Sequence, residues 1–188
     1  MLAANTQLVE SMKLIYLHGP PAAGKFTIAQ ELESKIGARL FHNHLTIDVA
    51  KAIFEFGSQD FWNLVDALRL QCVMAAAQQA DGLLTYTSCY DHPHDLEFFE
   101  ELKHAVLSNG SALLPVYLQC EVSELETRVS NDSRVRMGKI RSAEGLHKAL
   151  NQWNCIAVPR DECLTVSTAG KTPAECADEI IAFHGLGR

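Results

Sequence analysis

The feature that constrains this chain most is the run Gly19-Pro20-Pro21-Ala22-Ala23-Gly24-Lys25, with the spacing G-x-x-x-x-G-K. Lys13–His18 (KLIYLH) precedes it and reads as a short buried strand that stops at Gly-Pro-Pro. Residues at helical spacing follow it, Ile28, Ala29 and Leu32, with Gly37 as the stop near Lys35. Strand, loop and helix in this order make an anion cradle. The glycines let the backbone curl until several N–H groups point inward, the helix start adds the positive end of its dipole, and Lys25 adds a full charge. The loop is therefore expected to hold the phosphates of ATP or GTP. One position departs from the usual pattern. The residue after the lysine is ordinarily Ser or Thr, whose hydroxyl binds Mg²⁺, and here it is Phe26. Thr27 comes one residue later, about 100° further round the helix, where it is placed to meet an α-phosphate or a metal.

The rest of the chain alternates in the same way. Arg39–His42 reads as a second strand and Leu45–Phe56 as a helix ending at Gly57. A further helix capped by Ser58 or Asp60 carries Phe61, Leu64, Val65, Leu68 and Cys72 on one face. Gly82–Ser88 is a third strand. Pro93 suits the first turn of a helix that ends at Asn109-Gly110. Ala112–Gln119 is a fourth strand despite Pro115, which lacks a ladder donor. Ser123 and Glu126 have capping-box spacing. Residues 131–142 read as a polar, basic loop and Glu144–Trp153 as a helix. Cys163–Ser167 is a fifth strand. Thr172-Pro173-Ala174-Glu175 opens the last helix with a capping box and Pro in its first turn. Short strands that are apolar throughout, alternating with helices, demand a parallel sheet covered on both sides. The expected fold is therefore a three-layer α/β domain over 13–188, preceded by a flexible leader over 1–12.

Composition removes some classes of function. The chain has 188 residues and a formal net charge of −7, which argues against binding long nucleic acid through a basic face. No apolar run is long enough for a membrane span, and no signal-peptide pattern opens the chain. The six cysteines show no metal-pair spacing and read as reduced thiols of a cytoplasmic protein.

On the loop, the alternation and the length, the chain resembles the small-molecule kinases of the P-loop NTPase superfamily. It is similar to shikimate kinase, gluconate kinase and the nucleoside-monophosphate kinases, over most of 13–184. The resemblance implies a five-stranded sheet in the order 2-3-1-4-5, an acceptor site beside the second strand and a basic lid over the phosphates. Where shikimate and gluconate kinases carry an acidic pair, this chain has Phe41-His42-Asn43-His44, with Asp48 beyond. His42, Asn43 and His44 sit at a strand's carboxyl end, where open α/β sheets bind ligands, and are the candidate acceptor residues. In an extended chain both imidazoles face one pocket, while Asn43 points elsewhere to fix the loop. A hydrogen-bonded loop without a ligand is the competing reading. Asp48 is the candidate base or metal ligand, and Asp91 its alternative or a helix cap. The resemblance also places Arg128, Arg134, Arg136 and Lys139 at the lid; spacing does not say which arginine reaches the phosphate, and Arg128 is taken as the nucleotide candidate and Arg134 as the catalytic one. The resemblance lays Ser167–Pro173 beside the base.

The reading that results is an ATP-dependent phosphotransferase acting on a small hydroxyl- or phosphate-bearing metabolite. Gly19–Lys25, Phe26, Thr27 and Arg128 would bind nucleotide, Lys25, Asp48 and Arg134 would act in transfer, and Thr27 and Asp48 would meet Mg²⁺. A nucleotide-binding or regulatory protein with little turnover is the second reading, motivated by Phe26 and the missing acidic pair.

Overall fold

In the computed structural model, residues 11–79, 81–130, 140 and 142–187 are described. Five strands, β1 (Lys13–His18), β2 (Arg39–His42), β3 (Leu83–Ser88), β4 (Ala112–Gln119) and β5 (Leu164–Ser167), form one sheet in the order β2-β3-β1-β4-β5. All four pairings are parallel. Seven helices connect them among the described residues: α1 (Lys25–Ile36), α2 (His44–Lys51), α3 (Gln59–Ala77), α4 (Leu96–Ser108), α5 (Val122–Val129), α6 (Ala143–Gln152) and α7 (Pro173–His184).

The pleat of the central strand divides the core. Ile15 and Leu17 of β1 pack with Ile28 and Leu32 of α1, Leu125 of α5 and Ile180 of α7 on one face. Leu14 and Tyr16 pack on the other, with Val73 of α3 and Phe99, Leu102 and Val106 of α4. A smaller cluster, Ile47, Ala50, Phe61 and Val65, joins α2 to α3. The register brings His18 level with Ser88, and His42 level with Thr87, so the carboxyl ends of β1, β3 and β2 share one edge of the sheet.

Several local expectations change. Met12 was assigned to the leader, yet it is buried in the second core cluster and its carbonyl accepts from Ala112 N–H at 2.9 Å, so it belongs to the domain. The second helix stops at Lys51 rather than Phe56, and turns continue from there. Pro93 does not open α4. It follows a cis peptide from His92, and the helix begins at Leu96. The box expected at Ser123 and Glu126 does not form, because α5 already starts at Val122. On α3 the buried stripe is Phe61, Val65, Arg69, Val73 and Ala77, and Cys72 is exposed. All six cysteines are free, and Cys176 alone is fully buried. Pro115 lies level with Tyr16 of β1, and because β5 pairs with β4 only from Val116 onward its missing N–H breaks no ladder bond on the β5 side. The box at Thr172 and Glu175 forms, with Pro173 in the first turn.

Candidate nucleotide and acceptor site

The loop between β1 and α1 is bent by three residues with positive φ: Gly19 at 148°, Ala22 at 68° and Gly24 at 92°. Gly24 is also the N-cap of α1. Left-handed residues interspersed with ordinary ones turn successive N–H groups toward a common centre. Gly19 has a second reason to be glycine. A Cβ there would lie 2.7 Å from the carbonyl oxygen of Leu118 in β4. Lys25, the first residue of α1, folds back over the loop. Its Nζ donates to Gly19 O at 2.6 Å, Pro20 O at 2.8 Å and Cys89 Sγ at 3.2 Å. Among the described residues no carboxylate forms an ion pair with it. Its charge is therefore solvated by neutral groups and available to an anion.

His18, just before the loop, is fully buried. Its Nε2 accepts from Val158 N–H at 3.1 Å, and its Nδ1 lies 3.4 Å from Tyr16 O. The neutral ring protonated at Nδ1 satisfies both contacts. Burial holds the imidazole down at about 4. The ring stacks on Tyr16, with centroids 5.1 Å apart, and meets Tyr90 edge-on. Sequence reasoning assigned His18 no role. It fixes the end of β1 to the segment around Val158 and so supports the loop from beneath.

At the other side of the site the chain does not stay extended. Asn43 has helical dihedrals (φ −48°, ψ −36°) and caps α2, which starts at His44. His42 and His44 are thus not related by strand alternation, and the geometry expected for them is corrected. The His42 ring meets the Phe26 ring edge-on at 5.3 Å between centroids, so Phe26 packs between the loop and the end of β2. Asn43 does fix the turn. Its N–H donates to Thr87 Oγ1 at 3.3 Å, and its side-chain oxygen accepts from Arg69.

Arg69 is the residue that sequence reasoning missed. It sits on the buried stripe of α3, about nine-tenths buried, and its Nη1 donates to Asp66 Oδ1 at 2.8 Å. Among the described residues, its Nε and the buried hydroxyl of Thr85 have no hydrogen-bond partner. Burial pushes the phenols of Tyr16 and Tyr86 up, so both remain protonated donors near neutral pH. A signal existed in the sequence: Arg69 follows Asp66 by three residues and Val65 by four, a charge on an otherwise apolar stripe.

The other candidates are dispersed. Thr27 and Asp48 are exposed, on α1 and α2. Among the described residues no group of three His, Cys, Asp or Glu is arranged to hold a metal ion. With Phe26 after the lysine, the side chains alone do not assemble a Mg²⁺ site. Asp91 accepts from Asn154 N–H at 2.7 Å and caps no helix. Arg128 is held by Glu124 at 3.0 Å and by Thr168, whose hydroxyl and carbonyl accept at 3.0 and 2.9 Å. It thereby ties α5 to the loop before α7. Arg134, Arg136 and Lys139, with most of the expected lid, lie outside the described residues.

No family model matches the chain, and no curated protein matches it in sequence. Solved structures do. The tunicamycin resistance protein of Deinococcus radiodurans is similar at a TM-score of 0.65 and 18% identity, over 93% of this chain and 96% of that one. APS kinase from Mycobacterium tuberculosis, solved with AMPPNP and APS, is similar at 0.66 and 14% identity, over 94% and 99%. Shikimate kinase from Acinetobacter baumannii is similar at 0.56 and 19% identity, over 93% and 94%. At these identities the likeness is one of architecture, and the chain has the fold of the P-loop small-molecule kinases.

Proposed function

We propose that this protein transfers the γ-phosphoryl group of ATP to a hydroxyl of a small acceptor. The observation that carries the reading is the loop Gly19–Lys25, bent by three positive-φ residues, with an un-neutralised lysine folded over it. The loop N–H groups and Lys25 bind the β- and γ-phosphates, and Lys25 gives up its contacts to Gly19 O and Pro20 O for phosphate oxygens. The acceptor lies at the carboxyl end of β2, beside His42, His44 and Arg69. Its oxygen forms the new bond to phosphorus as the bond to the β-phosphate oxygen breaks. The hydroxyl proton passes to His44 or Asp48, or to water. Positioning and charge stabilisation supply most of the rate in such transfers, so no strong base is needed. The partly unsatisfied guanidinium of Arg69 supports an acceptor with an anionic or strongly accepting group.

Arg134 is the lid residue proposed to neutralise charge during transfer. Arg128 is proposed to hold the Thr168 loop against the base rather than reach phosphate. Mg²⁺ would be carried by the nucleotide phosphates and water, as this ion commonly is. The fold, the acidic charge and the lack of any helix long and apolar enough to cross a membrane among the described residues support a cytoplasmic enzyme acting on metabolites.

The test is ADP release from ATP with and without a panel of hydroxyl-bearing metabolites. Stimulation by one chemical class supports the proposal, and nucleotide binding without stimulation by any class favours a regulatory protein. Phe26 is the observation on the side of that second reading, because it removes the hydroxyl that usually positions the metal.

A further inference from the structure

Half of the large apolar side chains exposed on the described surface fall within twelve residues. They are Leu45 at 45%, Val49 at 49%, Ile53 at 63%, Phe54 at 37% and Phe56 at 62% exposed. Leu45, Val49 and Ile53 follow one another at intervals of four, along α2 and the turn that continues it. The buried positions of the helix, Thr46, Ile47 and Ala50, hold it to the domain. The stripe is therefore surplus to folding, and such patches mark a contact with something else.

Its position says what that something is. α2 is the helix whose N-cap, Asn43, is gripped by Arg69, and whose first residue is His44. One short helix thus has the polar acceptor site at its start and an apolar stripe along its length of about 12 Å. Five exposed residues are few beside the roughly 20–30 per side of a stable protein interface, and Leu45, Val49 and Ile53 form a single row among them. The exposed charges beside it are Asp48, Lys51, Glu55 and Asp60, net acidic, which disfavours an anionic lipid surface.

We infer that the acceptor is amphipathic: a hydroxyl-bearing, anionic or polar head at His42, His44 and Arg69, and an apolar tail of several carbons laid along Leu45, Val49 and Ile53. This rests on the phosphotransferase reading for the identity of the head site, and it names the substrate class that reading leaves open.

The probe is a series of 2-hydroxyalkanoates of four to twelve carbons, which carry a hydroxyl and a carboxylate on a tail of variable length. Binding is measured by calorimetry with AMPPNP present, and ADP release is measured separately with ATP. The expected result is an affinity that rises about threefold per methylene until the stripe is covered. The slope should flatten in the Val49→Ser/Ile53→Ser double variant. Arg69→Gln should weaken every member by the same factor and keep the slope. Equal affinity across the series, no binding by the ten-carbon member, or a slope that survives the double substitution overturns the proposal. So does a dimer that the double substitution converts to monomer, since a second copy then covers the stripe. A slope that behaves as expected, without ADP release for any member, overturns the phosphotransferase reading and leaves the amphipathic ligand standing.

Discussion

The two halves of the proposed site, for nucleotide and for acceptor, are built in opposite ways. The nucleotide half is contiguous, from His18 to Thr27, buried beneath by the central strand and fixed by backbone geometry. The acceptor half is assembled from β2, α2 and α3, with Asn43 and Arg69 twenty-six positions apart in the chain, and it ends in an exposed apolar stripe. Backbone geometry specifies a phosphate, which every nucleotide carries. Side chains gathered from separate elements specify whatever else must be recognised. A cradle of the first kind suits any nucleoside triphosphate, and the second kind is where this chain departs from the acidic pair of the kinases it resembles.

The largest expected effect tests whether the nucleotide half is fixed by backbone. Gly19→Ala places a Cβ 2.7 Å from Leu118 O at a φ of 148°. It should destabilise the fold by ~3 kcal/mol, read by chemical denaturation. Unchanged stability would show that the loop and β4 move apart freely.

His18 tests the same half through pH. Its ring is held near 4, against an ordinary value of 6.5, so the unfolded chain takes up the proton first as pH falls. The stability this contributes is complete above about pH 6.5. It is lost progressively as pH drops to about 4, for a total of ~3 kcal/mol. Denaturation midpoints at pH 7 and 4.5 should diverge in the parent. They should diverge less in His18→Gln, whose side-chain oxygen can still accept from Val158. An equal divergence would place the acid sensitivity elsewhere.

In the acceptor half, Arg69→Met should lower kcat/KM for the stimulating acceptor about 100-fold while leaving ATP affinity unchanged. A parallel fall in ATP affinity would mean that the two halves are not separate. The smallest effect is expected at their border. Phe26→Thr restores a hydroxyl after the lysine and should strengthen Mg²⁺-dependent ATP binding by roughly 1 kcal/mol. No change would show that the His42 side of the loop, and not the missing hydroxyl, limits the metal.

The same contrast governs what could be read from the sequence. The spacing Gly19 to Lys25, the strand before it and the helix after it all appear in the structure where expected, because each is a local signal. The parallel sheet also followed from local alternation, and its order from the resemblance. Boundaries failed where tertiary context decides. His92-Pro93 adopts a cis turn, and α5 starts one residue before its apparent box. At the acceptor, Asn43 turns the chain into a helix where alternation needed it extended. Arg69 carried only a weak signal, its place on an apolar stripe beside Asp66, because its other partner, Asn43, is distant in sequence and an arginine on a helix ordinarily faces solvent. His18 read as the end of a strand for the same reason: the group that makes it a support, Val158 N–H, lies 140 residues away.

The loop and Lys25 are proposed to bind nucleotide phosphate. The most direct measurement is the thermal shift produced by ATP in the parent and in Lys25→Ala. At about one hundred times the dissociation constant, ATP should stabilise the parent by about 2.7 kcal/mol, a rise in Tm of roughly 5–10 °C. Lys25→Ala should melt near the parent's ligand-free Tm and show little or no shift at the same ATP concentration. An equal shift in both proteins would mean that Lys25 does not meet the phosphates.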